Sequence, residues 1–163
     1  MDGTDCPIEE PQPWWKGWYS HKFHGPGLRY EVAVSLEGDI AHASGPWPCG
    51  THPDLKIFRE GGLMEKLDID EMIIADKGYR GEPEKVWLPG EGNSTQVKAH
   101  KFVRSMHETM NGKLKNFKAL STKWRHELSE HPLAFYSVLV ITQIGLSSHP
   151  LFPIGDKFIR SFV

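Results

Sequence analysis

Cysteine is nearly absent from this chain. Its 163 residues hold two, Cys6 and Cys49, far apart and outside any Cys-x-x-Cys pattern. That spacing excludes a disulfide framework and a thiolate zinc site, and a reducing compartment fits it best. Long hydrophobic runs are lacking as well. The longest apolar stretch, Leu133 to Leu146, is interrupted by Ser137, Thr142 and Gln143 and falls short of the roughly 18 residues a membrane span needs. It is expected to be a buried core helix, and no membrane association is expected. The start of the chain shows no charged-then-apolar signal pattern. Internal repeats and low-complexity segments are missing, and the length suits one domain, residues 1–163. A net charge of −2 argues against a uniformly basic nucleic-acid binder.

That small net charge hides an asymmetry. Between residues 101 and 126, Lys101, Arg104, Lys113, Lys115, Lys118, Lys123 and Arg125 face a single acid, Glu108. A phosphate-rich partner suits such a segment, and a merely solvated helix face suits it equally. Arg104, Glu108 and Lys115 share one helical stripe, an acid flanked by two bases.

Periodicity sets the element order. Residues 6–27 read as a loop broken by Pro7, Pro11, Pro13, Gly17, Gly25, Pro26 and Gly27. Within it Trp14, Trp15, Trp18 and Tyr19 surround Lys16, a cluster that either stacks on bases or pins the loop by burying aromatic area. Leu28, Tyr30, Val32, Val34 and Leu36 then alternate with Arg29, Glu31, Ala33 and Ser35, which predicts a strand with one apolar face. Glu37-Gly38-Asp39 turns it into a returning strand over residues 40–44. Pro53 is placed to open a helix, and Leu63 to Leu67 suits another helical turn. Met72 to Ala75 reads as a buried strand with Asp76 at its C-terminal end, where open α/β sheets hold their chemistry. Val86 to Leu88 suits a short strand. From Lys101 a helix carries Phe102, Met106, Met110, Leu114 and Phe117 on its apolar side.

Three acids stand out by context: Asp2 in Asp2-Gly3-Thr4, Asp76 before Lys77-Gly78-Tyr79, and Glu108. Oxygen ligands of this kind select a hard ion, Mg²⁺ or Mn²⁺. Two such ions activate a water and stabilise a leaving oxygen in phosphodiester cleavage. Among 21 acidic residues, composition alone does not single these out. His21 and His24, and His52 with Asp54, lack the second convergent pair of a zinc site; loop histidines that hydrogen-bond or contact phosphate are the simpler reading. Asp54 rivals Asp76 as second acid, but its place at a predicted helix start suits a structural charge.

Further motifs carry a family resemblance: Tyr19-Ser20-His21-Lys22-Phe23-His24-Gly25, His52-Pro53-Asp54-Leu55, Ala75-Asp76-Lys77-Gly78-Tyr79 and His107-Glu108-Thr109 followed by Lys115. From Asp2 to about Gly145 the sequence resembles the nuclease domain of DDE-type transposases, of the Harbinger-like group. The resemblance implies an α/β, RNase H-like fold, a mixed five-stranded sheet with its first three strands antiparallel and helices around it. It also implies a metal-binding catalytic triad of Asp2, Asp76 and Glu108 with two divalent ions. Arg104 and Lys115 would contact DNA phosphates, joined by Lys77 and by Lys101, which stands where related families often have a tyrosine. The implied partners are transposon-end DNA, a second copy of the chain and a separate DNA-recognition protein. Location would be the nucleus in a eukaryotic host and otherwise the cytoplasm. Only Met1 precedes Asp2, so an N-terminally truncated first strand is expected, in a fragment lacking an upstream DNA-binding domain. Two functions remain open: a metal-dependent endonuclease and strand-transfer domain, and a catalytically inactive DNA-binding remnant.

Overall fold

The computed structural model describes residues 1–90 and 93–151, so the part of the single-domain expectation that falls on residues 91–92 and 152–163 lies outside the described residues. The architecture is mixed α/β. Among the described residues six strands form two sheets: β1 (Asp2–Pro7), β2 (Tyr19–Ser20), β3 (Gly25–Val34) and β4 (Ile40–Pro48) in one, β5 (Ile73–Ile74) and β6 (Val86–Trp87) in the other. β3 is the axis of the larger sheet. It pairs antiparallel with β1, from Asp2 opposite Val32 to Pro7 opposite Gly27, with β2 through Tyr19 opposite Pro26 and Ser20 opposite Gly25, and with β4; β3 lies between β1 and β2. β5 and β6 run parallel. One described hydrogen bond joins the sheets, from the Met1 nitrogen to the Ile74 carbonyl at 2.9 Å.

The expected β3–β4 hairpin is present; β4 runs on to Pro48, and β3 begins earlier, at Gly25, and ends at Val34, short of Leu36. Cys6, Pro7 and the residues from Gly25 to Gly27, expected in a loop, are strand, because Cys6 and Pro7 pair with Leu28 and Gly27, and Gly25 and Pro26 pair with Ser20 and Tyr19 of β2. The two faces of β3 also differ from expectation. Leu28, Tyr30 and Val32 pack with Met110, Leu114, Phe135 and Leu139, as an apolar face should. The opposite face is covered too: Ala33 joins a second core with Met1, Phe58, Ala75 and Tyr79, and Glu31 is completely buried. Helix α1 (Asp54–Glu60), with Pro53 as its N-cap, supplies Phe58 to that layer.

Helix α2 (Ser94–Lys115) begins earlier than the apolar stripe suggested. The Asn93 side chain accepts from the Thr95 and Gln96 amides, and the Gln96 side chain accepts from the Asn93 amide. This reciprocal cap nucleates the first turn before any apolar residue is needed. Helix α3 (Lys118–Ser121) leads to α4 (His131–Ser148). Tyr30 stacks on Phe135, ring centroids 3.6 Å apart, and its hydroxyl is hydrogen-bonded to His131 Nδ1 at 2.7 Å, which fixes α4 on the sheet. α4 is not the fully buried helix expected. Phe135, Val138, Leu139 and Leu146 face the core, whereas Leu133, Val140, Ile141 and Ile144 are exposed. An 18-residue apolar helix lying on one side of a sheet can bury only one of its faces. No helix among the described residues is long and apolar enough to cross a membrane.

Candidate functional site

Three elements deliver acids to one place. β1 begins with Asp2, β5 ends just before Asp76, and the middle of α2 carries Arg104 and Glu108 one turn apart. These four side chains line a single cleft of about 60 Å³ with Met1, Ile74, Ala75, Val103 and His107. Helix α2 is fastened to this end of the sheet by two buried histidines. His100 Nε2 lies 3.0 Å from the Ala75 carbonyl, immediately before Asp76. His107 Nε2 receives the Met1 nitrogen at 2.5 Å, and burial holds the imidazole neutral by lowering its pKa to about 3.

Each acid has a different setting. Asp2 is half-buried and oriented: Asn111 Nδ2 donates to its Oδ2 at 2.9 Å and the Gly3 amide to its Oδ1 at 2.8 Å. Asp76 is exposed and caps the 3-10 turn Lys77–Tyr79, its Oδ1 accepting from the Gly78 amide at 2.7 Å. Glu108 is exposed, with no hydrogen bond or ion pair to a described residue. No three His, Cys, Asp or Glu side chains among the described residues are gathered tightly enough to hold a metal ion. The donor set nevertheless suits a hard divalent cation, since all three carboxylates keep free lone pairs on the same cleft.

The basic residues divide. Arg104 lies in the cleft wall, and Lys77 and Lys101 are exposed beside Asp76 in the chain and one turn ahead of Arg104. Lys115 is elsewhere. Its Nζ donates to the carbonyls of Asp5 and Leu120, the latter at 2.8 Å, and sits 3.5 Å from Cys6 Sγ, joining the end of α2 to β1. On the same helical stripe Lys115 meets β1 and the Leu120 carbonyl, whereas Arg104 stays exposed in the cleft wall. His21 and His24 do not reach the cleft; His24 Nδ1 is 3.3 Å from the Tyr19 hydroxyl, and His21 meets the Tyr19 ring edge-on.

Behind the cleft lies a network that sequence reading missed. Arg29 grips Asp5 with two bonds, Nε to Oδ1 at 2.6 Å and Nη2 to Oδ2 at 3.0 Å, and reaches Asp54 Oδ1 with Nη1 at 3.2 Å. Ser20 Oγ donates to Asp5 Oδ2 at 2.5 Å, and Lys22 Nζ to the Gly3 carbonyl at 2.6 Å. The Tyr19-to-Gly25 motif is thereby stitched to the strand of Asp2. Burial would raise the Asp5 carboxyl, but the bonds from Arg29 and Ser20 outweigh it and hold it below its ordinary value. For Asp54 burial prevails over Arg29, and its carboxyl is raised.

Asp54 is therefore more than a charge at a helix start. Its carboxylate is wedged between two glycines of the acidic motifs: a Cβ on Gly3 would stand 2.8 Å from Oδ1, and one on Gly78 2.6 Å from Oδ2. The sequence did carry a signal for this network. Arg29 and Glu31 are charges within a strand, and covering both faces of that strand requires them to find partners or stay neutral.

No curated protein and no solved structure matches the chain. The family model of the DDE superfamily endonucleases matches residues 1–143. Asp2, Asp76, Arg104 and Glu108, which meet at one cleft, all lie inside that span. With most of its length matched, the chain belongs to the DDE superfamily endonucleases.

Proposed function

We propose that this domain is a metal-dependent DNA endonuclease and strand-transfer unit with an RNase H-like arrangement, in which Asp2, Asp76 and Glu108 hold two Mg²⁺ or Mn²⁺ ions. The observation that carries the proposal is the shared cleft of Asp2, Asp76, Glu108 and Arg104. The strand sequence β4, β3, β1 followed through the Met1–Ile74 bond by β5 and β6 supports the fold reading. When bound, divalent ions lower the pKa of a nucleophilic water and offset charge on the phosphoryl oxygens.

The chain's own residues do the rest. Asn111 and the Gly3 amide aim the Asp2 carboxylate before any ligand arrives, and the Gly78 amide does the same for Asp76, so little reorganisation is needed. Arg104 supplies a cation to a backbone phosphate lying over the acids, and Lys77 and Lys101 extend the positive rim along the DNA. Lys115, spent on two carbonyls, serves the framework instead.

Nicking of supercoiled DNA tests the proposal. Mg²⁺ or Mn²⁺ should support nicking, and Asp76→Ala and Glu108→Ala should each abolish it. Equal nicking by those variants overturns the assignment. DNA binding without nicking, and without any metal-dependent rise in melting temperature, identifies the inactive remnant instead.

A further inference from the structure

The aromatic cluster of the loop between β1 and β2 splits into two roles. Trp18 packs against the main core, which pins the loop. Trp14 and Trp15 do not follow it inward; they remain 43% and 52% exposed. Trp15 is nonetheless held in place. Its carbonyl accepts from the Trp18 amide at 3.0 Å, and its ring meets that of Trp18 edge-on at 6.3 Å. The ring lies so close over Gly17 that a Cβ there would come within 2.4 Å of it. Gly50 then ties the loop to the end of β4, its amide donating to the Gly17 carbonyl at 2.8 Å.

This rigid loop borders a cavity of about 270 Å³ lined by Trp15, Lys16, Tyr19, His21 and Thr51 with Gly17 and Gly50. Among the described residues three aromatic rings and one cation border it, and no carboxylate does. Such a lining favours a flat ring borne on an anionic chain, the combination that single-stranded nucleic acid presents. An exposed ring already fixed by its neighbours loses little freedom when a second ring stacks on it. The wall residue His21 is flanked by Ser20 and Lys22, which bond to Asp5 and to the Gly3 carbonyl. Cavity and acidic cleft thus share β1 as their support.

We propose that this cavity is a subsite for an unpaired nucleobase of single-stranded DNA, stacked on Trp15 and Tyr19 with Lys16 near the adjoining phosphate. The assignment rests on the endonuclease reading for its choice of DNA as ligand.

Binding in EDTA separates the two. A labelled oligothymidylate of about 12 nucleotides and an abasic strand of equal length should be titrated by fluorescence anisotropy. The base-bearing strand should bind more tightly, Trp15→Ala should weaken it roughly 5- to 100-fold, and Trp15→Phe should restore most of the loss. Trp15→Phe also serves if the alanine variant fails to fold. Equal binding of both strands, or unchanged binding by Trp15→Ala, overturns the subsite. Nicking is scored separately on the parent protein with Mg²⁺. Nicking without base-dependent binding removes the subsite alone. Trp15-dependent binding without nicking leaves the subsite and removes the endonuclease reading.

Discussion

The Asp54 carboxylate lies against Gly78 so closely that a Cβ on that glycine would stand 2.6 Å from Asp54 Oδ2. The contact joins the first turn of α1 to the turn capped by Asp76, and Asp54 touches Gly3, the neighbour of Asp2, on its other side. One side chain outside the cleft thereby spaces two of the acids inside it.

Gly78→Ala should accordingly destabilise the fold by about 1–3 kcal/mol through overpacking, read as a lowered urea midpoint. In an Asp54→Ala background the same change should cost less, because one of the two crowding carboxylates is gone. Identical losses in both backgrounds would refute the contact.

Arg104 and Lys115 should part company in paired measurements. Arg104→Ala removes a cleft-wall cation with no described partner, so stability should change by less than about 0.5 kcal/mol while the slope of log affinity for DNA against log salt falls by about 1. Lys115→Ala strands the carbonyls of Asp5 and Leu120 and should cost about 1–3 kcal/mol without DNA present. A stable Lys115→Ala protein with a reduced salt slope would return Lys115 to the DNA surface.

Glu31 makes stability fall with rising pH. Its two oxygens are buried without a hydrogen bond, as is the hydroxyl of neighbouring Tyr79, and burial lifts its pKa from 4.5 to about 7. Between those values the folded state holds a proton that the unfolded state has released, so stability drops across that window as pH rises. Glu31→Gln should be more stable than the parent at pH 8 by roughly 2–3 kcal/mol, with the difference vanishing near pH 4. Thermal melts across that range decide it; parallel curves for the two proteins would exclude a buried Glu31 carboxyl.

Asp5 works in the opposite direction. Its carboxyl, held low by Arg29 and Ser20 against the effect of burial, contributes stability that is full above the ordinary carboxylate range and lost as pH falls through its folded value. Asp5→Ala leaves Arg29, with only 11% of its side chain exposed, to Asp54 and the His52 carbonyl and should cost about 3 kcal/mol, measurable by urea titration at neutral pH. A loss below the level of an exposed ion pair would show that Asp54 and solvent suffice for Arg29.

Local pattern revealed what local physics decides. Alternation over residues 28–36 marked β3 because a pleated strand puts every second side chain on one face, and a short apolar run marked β5 with Asp76 at its end. Motif context drew Asp2, Asp76 and Glu108 together before any geometry was known. The start of α2 was legible as well, in Asn93 and Gln96, but apolar spacing is silent about a polar cap. Only the tertiary structure could show that the polar face of β3 is covered by α1, which pairs Arg29 with Asp5 and leaves Glu31 buried without a hydrogen-bond partner. It also decided that α4 exposes Leu133 and Ile144, and that Lys115 is used up by β1. Each of these depends on which element lies on which face. That placement is a long-range outcome of packing, which residue periodicity within a single element does not encode.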